Sequence, residues 1–364
     1  MKIKEIVSAL ERFAPLPLQD GFDNAGMQIG LTDAETTGAL LCLDVTEAVI
    51  DEAIAWGYNL IVSHHPLIFK GYTSITGKDY VERCILKAIR NGIAIYSAHT
   101  NVDNVSGGVN FRIAEKIGLE HARILAPKEN SLLKLVTFVP YTHAEPVKKA
   151  LFQAGCGHIG KYDCCSFQTE GEGSFRAGEG SKPFVGEISQ LHKEPEVRLE
   201  TILPSYLKNS VLQALQASHP YEEPAFDLYP VVNSWPQAGS GVIGELQAPE
   251  TELEFLKRIK KTFEAGCVRH TRLTGRLIRK VALCGGSGSF LIPQAIRQGA
   301  DVFITGEIKY HDFFGHDTDI LLAEIGHYES EQYTREIFYE LIQGLFPNVE
   351  VQFTKVNTNP IKYL

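Results

Sequence analysis

Histidine and carboxylate side chains recur at three places where an apolar run of the chain ends. His64 and His65 directly follow one apolar run, Asp103 lies beyond a second, and His327 with Glu331 lies beyond a third. Imidazole and carboxylate groups are the ligands with which proteins hold zinc, manganese, iron, cobalt or nickel. The five side chains together predict a site for two divalent ions. Glu331 is the candidate bridge, because two ions about 3.5–4 Å apart need a shared ligand.

Each of these segments also has an interpretation without metal. His64 and His65 could be solvated loop residues, because neighbours on a regular strand point to opposite faces and converge only where the strand has ended. Asp103 could accept hydrogen bonds within an Asx turn. His327 and Glu331 would share one helix face at a spacing of four, which also occurs in polar stripes on solvated helices. The combination of all five residues favours the metal site.

Further polar groups lie near the ends of apolar runs. His99, Glu307 and His311 are expected to contact the ligands rather than to bind metal themselves. The glycine-rich turn 285–289 could present backbone N–H groups to an anion, or it could need glycine for steric reasons. It lacks the Gly-Lys-Ser/Thr ending of a nucleotide P-loop.

The bulk composition excludes several classes of function. The chain of 364 residues carries a net charge of −9 and no long basic run, which disfavours nucleic acid as a partner. The seven cysteines are odd in number and form no Cys-x-x-Cys pair, which predicts reduced thiols in a cytoplasmic protein. The first residues predict an amphipathic helix rather than a signal peptide, and no apolar stretch is long enough to span a membrane.

The two outer thirds of the chain alternate strands and helices. This β-α-β rhythm predicts a mostly parallel sheet, in which ligands gather beyond the carboxyl ends of the strands. The candidate metal ligands lie at such ends. The predicted strands are 40–43, 60–63, 93–97, 281–284, 301–304 and 320–323.

The middle third has a different pattern. Its core order β-α-β-β-α-β predicts a ferredoxin-like domain, with a mobile hairpin tip at 170–182. Its predicted strands are 132–139, 163–167, 184–188, 197–203 and 225–231, and its helices are 144–154 and 206–218. We therefore predict an α/β core made of two discontinuous halves, 1–127 and 237–364, with an inserted α+β domain at 128–236.

The dispersed motifs together resemble those of the Nif-three-like family, whose bacterial members are often labelled GTP cyclohydrolase I type 2 homologues. Phe22 stands where many relatives have tryptophan, and Glu307 stands where aspartate is frequent. The inserted segment is similar to PII- or CutA-like domains through 157–167 and 219–224. The segments that carry the family resemblance are Phe22–Gly30, Leu43–Thr46, Ser63–Pro66, His99–Asp103, Cys284–Gly288 and Gly326–Glu331.

The resemblance implies a Nif-three-like α/β core with a PII/CutA-like insert and a dinuclear metal site. The implied ligands are His64, His65, Asp103, His327 and the bridging Glu331. It also implies a homohexameric ring around an inner cavity, and a small-molecule, possibly nucleotide, substrate. The expected function is metal-dependent hydrolysis of the GTP cyclohydrolase I type 2 kind, in which a metal-activated water attacks a nucleotide, cyclic amide or phosphoester. The alternative is a non-catalytic metal-binding carrier or regulator with a ligand-sensing insert.

Overall fold

The structure is a computed structural model that describes residues 1–316 and 318–364. It contains two compact units. The first consists of Met1–Ala126 together with Gln237–Leu364, and the second consists of Pro127–Pro236. Within the described residues, no helix is both long enough and apolar enough to cross a membrane.

The described residues form fifteen strands and eleven α-helices. The strands are β1 (Gly26–Ile29), β2 (Ala39–Cys42), β3 (Leu60–Ser63), β4 (Ala94–Ser97), β5 (Leu119–Lys128), β6 (Leu132–Pro140), β7 (Ser166–Arg176), β8 (Leu191–Pro204), β9 (Phe226–Val231), β10 (Trp235–Thr251), β11 (Arg269–His270), β12 (Leu277–Cys284), β13 (Val302–Thr305), β14 (Leu321–Glu324) and β15 (Val351–Phe353). The helices are α1 (Ile3–Phe13), α2 (Glu47–Trp56), α3 (Tyr80–Arg90), α4 (Thr100–Asp103), α5 (Val109–Ile117), α6 (Ala144–Gln153), α7 (Lys208–Ser218), α8 (Glu252–Thr262), α9 (Ile292–Arg297), α10 (His327–Glu331) and α11 (Thr334–Leu345).

Helix boundaries in the first unit follow local capping chemistry. The hydroxyl of Thr46 accepts a hydrogen bond from the third residue of α2, and Gly57 ends that helix in the left-handed region. Asp79 caps α3 in the same way, and Thr251 with Glu254 forms a capping box on α8. Each of these boundaries depends on residues within about one helical turn of the helix end.

The first unit contains two sheets, and in each of them the central strands run parallel to one another. The five-stranded sheet has the order β1-β4-β3-β2-β15, and every pair in it is parallel except β1 with β4. The six-stranded sheet has the order β11-β14-β13-β12-β10-β5, with β12, β13 and β14 parallel to one another. The mixed α/β class predicted from the alternation is therefore confirmed.

Both faces of the central strands are buried, as expected for a parallel sheet covered by helices. On β3, Leu60 and Val62 pack into one core cluster, whereas Ile61 packs into another on the opposite face. On β13, Val302 and Ile304 join the same large cluster as Val62. That cluster also contains side chains of α1, α5, α8 and α11, so these helices share one core with both sheets.

The second unit is a four-stranded antiparallel sheet with two helices. Its strand order is β7-β8-β6-β9, and the chain order of its elements is β6-α6-β7-β8-α7-β9. The ferredoxin-like order is thus observed. Two local predictions were wrong: 184–188 is not a strand, and most of 170–182 is not a hairpin tip. Instead, β7 continues to Arg176 and pairs with β8. The backbone hydrogen bonds between the two strands outweigh the low β-propensity of the glycines in β7.

Candidate metal centre

The carboxyl end of β3 delivers two histidines to one place. The Ser63 hydroxyl donates a hydrogen bond to the His65 carbonyl at 2.9 Å and also lies 2.7 Å from the Ser97 hydroxyl of β4. These bonds hold a tight turn directly after the strand. The rings of His64 and His65 can therefore approach each other, with centroids 4.9 Å apart, instead of pointing to opposite faces.

His64 is completely buried, and its two ring nitrogens have different surroundings. Its Nδ1–H donates to the Ala98 carbonyl at 2.9 Å, which leaves Nε2 with a lone pair. That Nε2 accepts no hydrogen bond from the part of the chain that the structure describes, and it lies 3.8 Å from Asp103 Oδ1 and 3.6 Å from Glu331 Oε1. Asp103 Oδ1 is likewise buried without a hydrogen-bond partner among the described residues.

His65 is held between two carboxylates. Its Nδ1–H donates to Asp44 Oδ1 at 2.7 Å, and its Nε2 lies 3.0 Å from Glu331 Oε2. The Thr358 hydroxyl donates to the other oxygen of Asp44 at 2.6 Å, so a residue near the carboxyl terminus fixes the orientation of this imidazole. Orientation of a ligand ring by a carboxylate is a common feature of metal sites.

Glu331 connects the histidines from the opposite side. The short helix α10 places His327 and Glu331 four residues apart on one face, with His327 Nε2 at 3.1 Å from Glu331 Oε2. His327 Nε2 also lies 3.3 Å from His65 Nε2. The two oxygens of Glu331 therefore face different groups: Oε1 faces His64, whose Nε2 also lies near Asp103, whereas Oε2 faces His65 and His327.

The charges of the five side chains described above, which we call the cluster, favour the binding of cations. Its members are His64, His65, Asp103, His327 and Glu331. Burial and the neighbouring charge of Glu331 raise the pKa of Asp103 well above its ordinary value. Burial would also raise the pKa of Glu331, but the facing imidazoles of His64 and His327 hold it well below its usual range. Two buried carboxylates and an unpartnered imidazole nitrogen are stabilised together when positive charge lies between them. The donor set of nitrogen and oxygen atoms suits zinc or a neighbouring transition metal.

Protonation of the histidines differs sharply across the cluster. Burial lowers the pKa of His64 to about 4, so its ring is neutral and ready to bind metal. Burial also opposes charge on His65, but its hydrogen bonds to Asp44 and Glu331 outweigh that effect and raise its pKa to about 10. Glu331 likewise outweighs burial at His327 and raises its pKa.

The glycine-rich turn 285–288 makes room for Glu331. A Cβ atom at Gly286, whose φ is +59°, would lie 2.3 Å from Glu331 Oε1. The backbone N–H groups of Gly285, Gly286 and Gly288 already donate to Asn110, Ser330 and Thr305, respectively. Of the two interpretations of this turn, the structure favours the steric one over an anion site.

Gly286→Ala is therefore expected to weaken metal binding by about tenfold or more, because the new methyl group displaces a ligand oxygen and strains the backbone. Metal content after dialysis against a graded chelator measures the effect. Gly299→Ala is the matched control, since Gly299 also has positive φ (+69°) but no atom within 4 Å of its added Cβ. Equal loss of metal in both variants would contradict the steric explanation.

The other predicted site residues lie at different distances from the cluster. His99 Nδ1–H donates to Asp23 Oδ1 at 2.8 Å, and its ring centroid is 5.2 Å from that of His64. Glu307 Oε2 lies 3.6 Å from His327 Nδ1. His311 is not brought to the cluster; its ring packs against Tyr310, with centroids 5.3 Å apart.

Asp23, Asp44 and Thr358 are not among the site residues predicted from the sequence. All three make hydrogen bonds that orient His99 or His65 across long sequence separations. No local spacing could have revealed these contacts, although Asp23 and Asp44 do lie inside two of the motif segments.

A cavity of about 570 Å³ opens onto the cluster. Four aromatic side chains, each about half exposed or more, line it: Phe22, Phe69, Tyr80 and Phe290. Polar groups of Asp20, Asn104 and Ser240 also contribute. The size suits a small organic molecule, and the flat apolar rings suit a planar one.

Comparison with known proteins supports a common architecture. The model of the Duf34/NIF3 (NGG1p interacting factor 3) family matches residues 1–360. A protein of Halalkalibacterium halodurans named GTP cyclohydrolase 1 type 2 homolog is 40% identical over 99% of this chain and 98% of its own length. A Bacillus subtilis protein of the same name is 38% identical, with coverage of 99% and 98%.

Solved structures agree over the whole chain. A Bacillus cereus protein related to NIF3 matches with a TM-score of 0.85 and 39% identity, covering 100% of this chain and 99% of that one. Staphylococcus aureus protein SA1388 matches with a TM-score of 0.79 and 32% identity at the same coverage. Because a family model and relatives above 30% identity both span nearly all residues, the chain belongs to the Duf34/NIF3 family.

Proposed function

We propose that the protein is a hydrolase that depends on two divalent metal ions and acts on a nucleotide or a related cyclic amide or phosphoester. His64 and Asp103 would hold one ion, His65 and His327 the other, and Glu331 would bridge them. The observation that carries this proposal is that the two oxygens of Glu331 face different histidines: Oε1 faces His64, which lies beside Asp103, and Oε2 faces His65 and His327. Three groups of possible metal ligands meet here, and two of them share Glu331.

When bound, divalent ions supply Lewis acidity and lower the pKa of a coordinated water. The chain's own residues prepare the site for this chemistry. Hydrogen bonds at Nδ1 to Ala98 and Asp44 orient the rings of His64 and His65 so that the Nε2 atoms face the other candidate ligands. The aromatic side chains at the cavity mouth offer surfaces on which a planar ring can stack.

His99 is our candidate for the proton-transferring group. Asp23 accepts the hydrogen bond from its Nδ1–H, and Thr100 donates its backbone N–H to the same carboxylate at 3.0 Å. Although burial opposes the charge on Asp23, these bonds lower its pKa to about 2, so it remains an ionised acceptor. The lone pair of His99 is then on Nε2, where it can accept a proton from one reacting group and return it to another.

His99→Gln is expected to lower kcat by about a hundredfold or more while metal content stays unchanged. The measurement pairs steady-state kinetics with elemental analysis of the same samples. His311→Gln is the control, because that ring packs outside the cavity lining. If His99→Gln loses an equivalent of metal, His99 is a ligand rather than the proton carrier.

The function is tested by a substrate screen with protein loaded with zinc, manganese, iron, cobalt or nickel. GTP is the first compound, because the relatives' names refer to GTP cyclohydrolase, and other nucleotides, phosphodiesters and cyclic amides follow. We expect product release from at least one class, and none after removal of metal. If no compound is turned over with any metal, the hydrolase proposal is wrong.

A further inference from the structure

A second cavity, of about 320 Å³, lies within the unit Pro127–Pro236 and shares no lining residue with the cavity at the metal centre. Aromatic rings form part of its wall, and a buried carboxylate lies among them. We propose that this cavity binds a small aliphatic ammonium ion. The inference is independent of the proposed hydrolysis.

The buried carboxylate belongs to Glu196 on β8, which is only 9% exposed. Its Oε1 accepts a hydrogen bond from the Tyr221 hydroxyl at 2.9 Å. Among the described residues, no hydrogen bond reaches Oε2, and no ion pair joins Glu196 to a basic side chain, including Arg176, which also lines the cavity. Oε2 therefore has lone pairs free to accept hydrogen bonds, and the negative charge of the carboxylate favours a cation that donates N–H groups to it.

Strand β7 leaves space for this carboxylate. Gly171 lies opposite Glu196 in the strand register, and a Cβ atom at Gly173 would lie 2.0 Å from Glu196 Oε2. Residues two apart on a strand lie on the same face, so Gly171 and Gly173 leave this face of β7 without side chains. The carboxylate extends over that surface.

The aromatic wall provides the second feature that selects a cation. The ring of Tyr221 lies 5.7 Å from that of Phe175 at an interplanar angle of 60°, and 6.3 Å from that of Phe184 at 48°. Inclined rings present their faces and edges around a shared space, and ring faces attract ammonium groups. The same rings accommodate the alkyl part of the ligand.

Further carboxylates lie at the same cavity. Glu222 and Glu223 line it, and Glu222 Oε1 accepts a hydrogen bond from the backbone N–H of Lys182 at 2.9 Å. This bond holds the segment that carries Phe184 beside the turn that carries Tyr221. The carboxylates add negative potential to the cavity, which favours a cation over a neutral molecule of the same shape.

The test compares butylammonium with 1-butanol, its neutral counterpart of nearly the same shape, on the full-length protein by ligand-observed NMR titration. We expect butylammonium to bind with a dissociation constant on the order of millimolar, and 1-butanol at least about tenfold more weakly. Glu196→Gln should weaken butylammonium binding by about tenfold and leave 1-butanol unchanged, because the amide keeps the acceptor for Tyr221 but loses the charge.

Glu145→Gln is the matched control, since this exposed residue of α6 lies in the same unit, forms an ion pair with Lys148 and does not line the cavity. It should leave both affinities unchanged. Should Glu196→Gln fail to fold, Phe184→Leu replaces it; this half-exposed ring should be removable without unfolding, and its loss should reduce the preference for the cation. The proposal is overturned if neither compound binds, if 1-butanol binds as tightly as butylammonium, or if whichever of the two variants folds keeps the full preference.

Discussion

Glu331→Gln is expected to release metal and abolish hydrolysis, the largest single effect that we predict. A neutral amide cannot supply two anionic oxygens to two ligand pairs, and it leaves the facing imidazoles without their carboxylate. Even hydrogen-bond partners of metal ligands contribute roughly 10–100-fold to affinity, so loss of a bridging ligand should exceed about a hundredfold. Metal content by elemental analysis and turnover of the best substrate from the screen measure the two effects.

Glu329→Gln is the matched control for this variant. Glu329 lies on the same short helix and is also buried, but its Oε1 accepts a hydrogen bond from Asn359 at 3.0 Å instead of facing the histidines. It should keep its metal. Equal metal loss in both variants would mean that the helix, rather than the bridging carboxylate, was damaged.

Glu331→Gln also distinguishes an enzyme from a carrier. In an enzyme, restoring metal by a large excess in solution should not restore turnover, because the bridging carboxylate is still absent. In a non-catalytic carrier, the wild-type protein has no turnover to lose, and the variant changes only metal retention and partner binding.

Metal loading is expected to fall steeply as the pH drops from about 8 to about 5, the second large effect. In the metal-free protein His65 holds a proton up to a pKa of about 10, and the raised pKa values of His327 and Asp103 favour protons there too. Each must lose its proton to bind a cation. His64, with a pKa of about 4, is already neutral and contributes no such dependence above that pH.

The direction in which metal affinity changes with pH follows from this release of protons. Apparent affinity rises with pH by about tenfold per unit for each proton displaced, and it levels off once the ligands are deprotonated. Calorimetry in buffers of different ionisation enthalpy counts the protons released at neutral pH, and we expect at least one. Full retention of both ions at about pH 4, or no proton release, would contradict ligation by these histidines.

The local parts of the fold could be predicted because their causes are local. The cap at Thr46, the stop at Gly57 and the capping box at Thr251 depend on residues within one helical turn. The wrong prediction at 184–188 has the opposite origin. An apolar run there looks like a strand, but the antiparallel partner of β7 lies further along the chain, and pairing between strands is a tertiary choice.

The sequence alone singled out five side chains of metal-binding type at the ends of apolar strands, because ligand type and strand-end position are properties of short segments. Only the tertiary structure could bring His65 within 3.0 Å of Glu331, a residue 266 positions away, and set Asp44 and Thr358 behind that histidine. Such contacts depend on how the sheets and the helices between them pack. They arise from burial of a shared core, which no short stretch of sequence encodes.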